Sequence, residues 1–387
     1  MPPPPPPLMD EVVEEVLLRL PPDSPASLVR AGLVCKRWFH FHLVSDPGFR
    51  RRFLDFHGRA PPMLGFMMYS RSATRFVPMS ASGGLQPHAN LSGLKACDSR
   101  HGRVLLRNTG SECHSSIHIV VWNPITGEQL KLPEPPRWNP HEWTAAVLCA
   151  SAAGACDHLN CHRGPCIVVL VGTASYKHFA CIYDSEAGAW SEPTFAPHSG
   201  SSTIDRSVRS TLVGNTLYFV LHEFGSNQRK ISPYNYQNIL EYNLGTRRIA
   251  VVQLPRSRSS WLIREPFGPI ELTTMEDDGR LGFVRVEHYS SLFLWSREVE
   301  EPAGWVLRKT IQLDNLLPGI PWKWACWRFL VGSAEGAGTV FLTLKDELFT
   351  IHLRSGRVTK VYTHRGSCLT VPYINFCTPG TKASMTT

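Results

Sequence analysis

The chain has 387 residues, of which 43% are hydrophobic and 19% are charged, as is usual for a folded globular protein. A formal net charge of +8 would suit a nucleic-acid partner, but the basic residues are dispersed and accompany no motif of a nucleic-acid reader. No apolar run approaches the roughly 20 residues that cross a bilayer. We therefore expect no nucleic-acid partner, no membrane span, and a cytoplasmic or nuclear location.

The first seven residues, MPPPPPP, contain neither the basic nor the apolar region of a secretory signal. A proline run favours an extended polyproline II conformation, so we predict a disordered tail over residues 1–7. The 11 cysteines are odd in number and scattered along the chain, which favours reduced thiols over a disulfide framework.

Residues 8–55 have the pattern of three or four short helices. In the first helix, apolar residues fall on one side of a helical wheel, while three glutamates and Arg19 cover the other side. The apolar positions are Val12, Val13, Val16, Leu17 and Leu20. Asp10 is the predicted N-cap, and Pro21 ends the helix. A unit this small buries little apolar surface, so we expect it to dock on another protein.

A more specific signal follows in the third helical segment. The hexapeptide LVCKRW at Leu33–Trp38, preceded by the pattern D-E-x-x-x-E-x-L-x-R-L-P from Asp10, resembles the F-box. The opening leucine-proline pair of that family is here Leu8-Met9. The resemblance implies that this segment binds a Skp-type adaptor, which sits on a cullin scaffold that carries the ubiquitin-transfer machinery.

The apolar stripe, together with this resemblance, also identifies the side chains that we expect to contact the adaptor. They are Leu8, Met9, Val12, Val16, Leu17, Leu20, Leu28, Leu33, Val34 and Trp38. The alternative interpretation is a generic helical bundle in which the same side chains only form a core, because a periodic apolar stripe is usually core.

From residue 61 onward, a short sequence pattern recurs. An apolar strand ends in an aromatic or polar residue, a turn with Gly, Asn or Asp follows, and a second strand comes next. The matched positions are Tyr69, Trp122, Tyr183, Tyr242, Trp295 and His352, which lie 53 to 61 residues apart. Repeats of about this length, with several short strands and an aromatic residue in each, are typical of propeller blades. Six copies predict six blades.

The sequences NPITGEQLKLP, LEYNLGTRRIAVVQLP and DGRLGFVRVEHYSSLFLWSRE resemble the F-box-associated, propeller-like (kelch-like) domain of large plant F-box families. The predicted fold is therefore α+β and multidomain, with a small helical F-box followed by an all-β propeller of six blades. We predict an F-box over residues 8–55, a linker over 56–64, the propeller over 65–380 and a disordered tail over 381–387. Residues 366–380 are expected to add a strand to the first blade and so to close the ring.

Two groups of residues raise the question of chemistry. The cysteines and histidines between residues 156 and 166 could in principle bind Zn²⁺, but their spacing differs from the usual paired C-x-x-C and favours a loop between strands. Those residues are Cys156, Asp157, His158, Cys161, His162 and Cys166. Asp277 and Asp278 precede Gly279 and indicate a turn. No hydrolase, metalloprotease or P-loop motif occurs. We therefore predict no catalytic residue, no metal and no other cofactor.

The expected function is substrate recognition in a Skp/cullin/F-box ubiquitin ligase, by a chain that is not itself an enzyme. Its expected partners are a Skp-type adaptor, a cullin bound through that adaptor, and a target protein whose identity the sequence does not give. Two other classes stay open. One is an F-box scaffold that acts without degradation, and the other is a propeller enzyme or glycan-binding protein with convergent polar groups at its mouth.

Target-binding residues are expected in loops on one face of the propeller, because the strands are occupied by packing. Tryptophan and arginine dominate the energetics of interfaces, so we selected the aromatic and basic residues of the loops between strands. They are Trp138, Trp143, Arg258, Trp261, Trp322 and Trp324. The alternative for each tryptophan is a buried position that anchors a blade.

Overall fold

The structure is a computed structural model. It describes residues 9–20, 47–57, 62–70, 73–79, 87, 89–109, 117–136, 142–151, 156, 158, 161–175, 177–196, 202–223, 238–255, 270–287, 290–298, 304–317, 330–364 and 369–375. Two helices come first, and a ring of strands follows. No helix in this part of the chain is long and apolar enough to cross a bilayer.

The N-terminal helices are α1 (Asp10–Leu18) and α2 (Pro47–Phe56). They pack through one apolar cluster of buried side chains, which consists of Val13, Leu17, Leu18, Phe49 and Phe53. Asp10 is the first residue of α1, and not its N-cap as predicted, because Met9 occupies the cap position without a capping side-chain bond. The Asp10 carboxylate still lies near the positive end of the helix dipole.

The described residues after α2 contain twenty-five strands and two further short helices. The first strands are β1 (Met63–Ser70), β2 (Ala73–Pro78), β3 (Leu94–Arg100), β4 (Arg103–Asn108), β5 (Ile119–Trp122), β6 (Gln129–Lys131), β7 (Glu142–Cys149), β8 (Cys166–Ala174), β9 (Lys177–Asp184), β10 (Ala189–Trp190), β11 (Thr194–Phe195) and β12 (Ser202–Ile204). The later strands are β13 (Thr211–Val213), β14 (Thr216–Glu223), β15 (Asn238–Asn243), β16 (Ile249–Gln253), β17 (Ile270–Thr274), β18 (Leu281–Glu287), β19 (Ser291–Glu298), β20 (Gly304–Gln312), β21 (Leu330–Ala334), β22 (Thr339–Leu344), β23 (Glu347–His352), β24 (Val358–Thr363) and β25 (Leu369–Ile374). A 3-10 helix spans Cys161–Arg163, and α3 spans Leu313–Leu316.

These strands form six antiparallel sheets, so the predicted count of six propeller blades is confirmed. Blade 1 has the order β25-β1-β2, and blade 2 the order β3-β4-β5-β6. Blades 3 to 6 follow along the chain, with β7, β12 and β13, β17, and β21 as their innermost strands. Apolar side chains fill the space between neighbouring blades, as where Phe66 of blade 1 meets Phe341 of blade 6 at 5.4 Å between ring centroids.

Both ends of the chain contribute to blade 1. Strand β25 pairs antiparallel with β1, from Met63 opposite Ile374 to Tyr69 opposite Leu369. The buried Tyr373 adds a link to blade 2, because its hydroxyl donates a hydrogen bond of 3.2 Å to the carbonyl oxygen of Gly102. The predicted closure of the ring by a C-terminal strand is therefore confirmed.

The recurring sequence pattern corresponds to a turn between the third and fourth strands of a blade. In blade 2 the side-chain oxygen of Asn123 accepts the N–H groups of Ile125 and Thr126, at 3.0 and 3.3 Å. Asp184 and Asn243 act in the same way in blades 3 and 4. Such bonds hold a side-chain oxygen over the turn that it begins, and they explain why Asn or Asp follows the aromatic anchor.

Three of the six predicted anchor positions need correction, and one of them is Trp295, which lies in the middle of β19 and not at its end. In blade 6 the turn begins at His352, whose Nδ1 accepts the N–H of Ser355 at 3.2 Å. The equivalent of Trp122 is therefore Ile351, one residue earlier than predicted. Tyr69 lies on the second strand of its blade and not on the third, because the inner strand of blade 1 comes from the C-terminal end of the chain.

Candidate functional site

The propeller has two faces, which we define by the first strand of the ring. The proximal face is the one at which β1 begins, and the distal face is the one at which β1 ends. The N–H of Asn375 donates to the carbonyl of Pro62 at 3.2 Å, so β25 ends at the proximal face. Because all pairings are antiparallel, the chain passes from one blade to the next at the distal face.

Five of the six predicted target-binding residues lie outside the described residues. They are Trp138, Arg258, Trp261, Trp322 and Trp324. The strand ends that flank them are described, and they are the end of β6 and the start of β7, the end of β16 and the start of β17, and the end of β20 and the start of β21. All these strand ends are at the distal face. The sixth residue, Trp143, lies near the start of β7 and therefore also at this face.

Trp143 belongs to a group of cationic and aromatic side chains, which we call the distal patch. The Arg107 guanidinium lies 5.5 Å from the centroid of the half-buried Trp143 ring, and the Lys95 ammonium lies 5.6 Å from that of Tyr69. Arg206 completes the patch, with its Nε 3.1 Å from a carboxylate oxygen of Glu142. Cations held over ring faces are attracted by the ring quadrupole. Arg206 is exposed, Lys95 is half-buried and Arg107 is buried, so the patch combines one exposed positive charge with aromatic surface.

Charged side chains from blades 2, 4 and 6 meet at the centre of the ring. The innermost strand of blade 4 is interrupted between β12 and β13, which both pair with β14. Arg209 lies in this interruption, next to the propeller axis. Its Nε donates a hydrogen bond of 2.8 Å to Asp98 of blade 2, and its Nη2 donates one of 3.1 Å to Glu335 of blade 6. Arg100 of blade 2 also bonds Asp98 and Glu335. Two cations and two anions thus share the axis.

The charges at the axis stabilise one another. Burial alone would raise the pKa of the Asp98 carboxyl, but the guanidinium groups of Arg100 and Arg209 outweigh burial and hold that pKa below its usual range. Glu271 lies nearby, and no guanidinium group in the described part of the chain bonds to its carboxylate. Burial, assisted by the Asp205 carboxylate, raises the pKa of Glu271 to about 8. The axis therefore contains a carboxyl group that is mostly protonated at neutral pH.

The two N-terminal helices divide the predicted adaptor-binding residues into inner and outer groups. Leu17 is 2% exposed in the cluster between α1 and α2, and Leu20 packs against that cluster. Met9, Val12 and Val16 point outward, with 67%, 39% and 55% of their surfaces exposed. We call these three residues the α1 row. Leu8, Leu28, Leu33, Val34 and Trp38 lie outside the described residues.

Polar contacts fix α1 against α2. Glu14 of α1 forms an ion pair with Arg52 of α2. The ring of His57, just after α2, lies 2.8 Å from the carbonyl oxygen of Leu18, and this contact occupies one of the carbonyls left without a partner at the end of α1. The α1 row is therefore presented on a helix whose opposite side is anchored.

The cysteine- and histidine-rich segment forms a compact cluster. Potential ligand atoms of Cys149, Cys156, His158 and Cys161 all lie within 4.8 Å of one another. Cys149, the last residue of β7, joins the cluster although it lies outside the cysteine- and histidine-rich segment 156–166 that the sequence indicates. His162 and Cys166 do not belong to the cluster, and Asp157 lies outside the described residues.

The thiols of this cluster differ in acidity. Burial, together with the neighbouring Cys149 and Cys156, raises the pKa of Cys161. Burial also acts on Cys149, but hydrogen bonds with Ser151 and the other thiols outweigh it and lower the pKa of this group. The cluster therefore contains one thiol that ionises more readily than usual beside one that resists ionisation.

A groove of about 420 Å³ between blades 5 and 6 is lined by the acidic turn at residues 276–278. The predicted turn is confirmed, since the N–H of Gly279 donates to the carbonyl of Met275 at 2.9 Å. Each carboxylate of this turn has a basic neighbour. The pairs are Glu276 with His352, Asp277 with Arg354 and Asp278 with Arg280. The acidic residues therefore act in turn structure and ion pairing.

Comparison with known proteins identifies the ring. Residues 95–374 match the family described as "F-box protein AT5G49610-like, beta-propeller". No curated protein matches the sequence. This family match covers more than half of the chain and all blades from the second onward, together with the closing strand β25.

Similar solved structures are distant. TolB from Acinetobacter baumannii is 11% identical, with a TM-score of 0.45 over 86% of this chain and 71% of that one. A putative 6-phosphogluconolactonase from Bacteroides uniformis is 11% identical, with a TM-score of 0.39 over 80% and 100% of the two chains. The WD40 domain of SCAP from fission yeast is 10% identical, with a TM-score of 0.38 over 70% and 56%. From its matched residues, the chain belongs to the family of F-box protein AT5G49610-like beta-propellers.

Proposed function

We propose that the chain is the substrate-recognition subunit of a Skp/cullin/F-box ubiquitin ligase and is not itself an enzyme. In this proposal the N-terminal helices bind the Skp-type adaptor, and the distal face of the propeller binds a target protein. Holding the target near a charged ubiquitin carrier converts an encounter of free molecules into a nearly intramolecular transfer. The contribution of the chain is therefore positioning, without a catalytic group of its own.

The α1 row is the observation that carries the proposal. Three large apolar side chains are exposed on one helix, while the other side of that helix is buried against α2. Contiguous exposed apolar surface usually marks a site of protein interaction. The row lies within the segment that resembles the F-box, and the family of the ring is named for F-box proteins. These observations support adaptor binding at the N-terminal helices.

Target binding at the distal face is supported by the course of the chain. The chain reaches the ring at the proximal face, at Met63, whereas the distal patch and the connections between blades lie on the other side. Loops held by a rigid scaffold are the usual carriers of binding residues. The side chains of the patch combine positive charge with aromatic rings, so we expect the target to present acidic and apolar groups.

Adaptor binding is tested with the purified full-length chain and a recombinant Skp-type adaptor. We expect the double variant Val12→Asp and Val16→Asp to weaken binding at least about tenfold, because an apolar interface would bury two carboxylates. The control is Leu130→Asp with Val251→Asp, which adds the same charge at exposed apolar residues of β6 and β16. Failure of the unmodified chain to bind the adaptor would contradict the proposal, as would equal loss in both variants.

Target binding is tested in cells treated with a proteasome inhibitor. The variant Lys95→Glu with Arg206→Glu reverses charge in the distal patch, and it should lose a set of co-purifying proteins while it retains the adaptor. Arg354→Glu, an exposed change at the proximal face, is the control. The half-life of a protein lost from the patch variant should lengthen in cells that carry the α1 row variant. An unchanged half-life would favour a scaffold that acts without degradation.

A further inference from the structure

The end of β7 and the connection from β7 to β8 bring together four side chains of the types that bind zinc in proteins. Three thiols and one imidazole converge there, from Cys149 at the end of β7, Cys156, His158 and Cys161 in the 3-10 helix. Three cysteines with one histidine form one of the common ligand sets of structural zinc. Thiolate ligands favour zinc over magnesium and calcium, which take oxygen ligands.

We propose that Cys149, Cys156, His158 and Cys161 bind one zinc ion, which fastens the connection between β7 and β8 to the propeller. Zinc bonds of about 2.3 Å to sulfur and about 2.0 Å to nitrogen place tetrahedral ligand atoms roughly 3.5 to 3.8 Å apart. The donor atoms already lie within 4.8 Å of one another, and Cys161 Sγ is 3.5 Å from His158 Nδ1. Metal binding therefore requires only small side-chain movements.

The surrounding backbone holds these donors in place. The N–H of Cys149 donates to Nδ1 of His101 at 3.1 Å, and the His101 ring stacks on that of His158 with centroids 3.8 Å apart. His101 and His158 both have positive φ angles, of 52° and 57°, which are uncommon for residues other than glycine. The stacked His101 ring therefore packs against one face of the His158 imidazole.

The charge of the site also suits a zinc–thiolate centre. Arg103 is buried beneath the connection, where its guanidinium donates to the carbonyl oxygens of Cys161, Gly164 and Pro165. Among the described residues, no carboxylate forms an ion pair with Arg103. Three thiolates around Zn²⁺ carry a net charge of −1, so a bound zinc would place a compensating negative charge next to this buried cation. This observation is independent of the positions of the ligands.

Zinc at this position would join blades 2 and 3 at the proximal face. Arg103 belongs to β4, and Asn123 at the end of β5 donates from its side chain to the carbonyl of His162 at 3.3 Å. The connection therefore already contacts blade 2 through polar bonds at Cys161 and at the residues that follow it. A metal that held Cys161 to the end of β7 would fix the same segment to blade 3.

The first test measures zinc in the full-length chain, purified under reducing conditions without chelators. We expect one zinc per chain in the unmodified protein and loss of the metal in Cys149→Ser, Cys156→Ser and Cys161→Ser. Cys166→Ser is the matched control, because this buried thiol lies near the site but outside the ligand set. His158→Gln should lose zinc, whereas His162→Gln should retain it.

The second test does not depend on the folding of any variant. Zinc is removed from the unmodified chain with a chelator and Co²⁺ is added, and we expect a thiolate-to-cobalt charge-transfer band with the intense visible bands of tetrahedral cobalt. Chelation should also lower the melting temperature of the unmodified chain but not that of Cys156→Ser. The proposal is wrong if the chain contains no zinc and gives no tetrahedral cobalt spectrum. A disulfide between two of the three thiols under these conditions would also overturn it.

Discussion

Asp98 and Arg209 form a buried ion pair that joins blades 2 and 4 across the propeller axis, with 2.8 Å between Oδ1 and Nε. The other carboxylate oxygen of Asp98 accepts the N–H of Val147 in blade 3, also at 2.8 Å. One side chain thus connects three blades. Together with Glu335 of blade 6, it makes the axis a polar junction between inner strands that are otherwise held by apolar packing.

Loss of the Asp98 charge should destabilise the ring. Asp98→Asn leaves two buried guanidinium groups with Glu335 as their remaining ion-pair partner among the described residues, and removal of one member of a buried ion pair costs about 3–5 kcal/mol. We expect a loss of this size in the free energy of unfolding, measured by urea denaturation. Asp277→Asn removes an exposed charge near Arg354 and should change stability by less than about 0.5 kcal/mol. Equal effects would show that the axial pair has no special role.

Glu271 should make stability depend on pH between about 4.5 and 8. Its pKa is about 8 in the fold against an ordinary value of 4.5, so the folded protein holds a proton that the unfolded chain releases in this window. Stability therefore falls as pH rises through the window, by at most about 1.4 kcal/mol per pH unit. Glu271→Gln keeps the neutral form and should reduce this fall in urea titrations at pH 5.5 and 8.5. The exposed change Glu186→Gln should leave it unaltered.

Removal of β25 should unfold the ring as a unit. A chain that ends at Thr363 lacks the inner strand of blade 1 and leaves one edge of β1 without its partner. Calorimetry should show loss of the cooperative transition, or a large decrease in its temperature. A chain that ends at Asn375 retains β25 and should melt like the full-length protein. If the shorter chain also melted like full length, closure by β25 would not stabilise the ring.

Gly332 should not tolerate a side chain, because blades 6 and 1 approach closely there. A Cβ atom at this position would lie 2.4 Å from the carbonyl oxygen of Thr370 on β25. Gly332→Ala should therefore lower the free energy of unfolding by about 1–3 kcal/mol, as overpacking commonly does. Gly245→Ala is the comparison, since the one close approach of its Cβ, at 2.9 Å, would be to the side-chain end of Asn215, which can move. A similar loss in both variants would assign the effect to backbone flexibility and not to contact between blades.

The blade count could be predicted from the sequence because each anchor combines two local signals. Trp122, Tyr183 and Tyr242 are buried near the ends of third strands, and Asn or Asp follows each of them to form the turn. In blade 6 the imidazole of His352 provides the acceptor of the same turn, so the predicted anchor position is one residue later than the true one. Local pattern identifies such turns well but does not fix which residue provides the acceptor.

The features that the sequence did not predict depend on contacts between distant parts of the chain. The strand position of Tyr69 in its blade was predicted wrongly, because β25, which lies between β1 and the propeller axis, comes from the far end of the chain. The pairs of Lys95 with Tyr69 and of Arg107 with Trp143 each join neighbouring blades. Cys149 approaches the later cysteines only after the connection between β7 and β8 has folded back. No periodic pattern records such pairings.

The construction of blade 1 has a consequence for biosynthesis. Its partner strands are about 300 residues apart, so the ribosome needs roughly 15 to 60 s between them at about 5–20 residues per second. Blades 2 to 6 use neighbouring segments and can pair in order as they emerge. The open edge of β1 must wait for β25 and is exposed to aggregation meanwhile. Translation therefore times the completion of the ring, and premature release of the chain leaves that edge permanently uncovered.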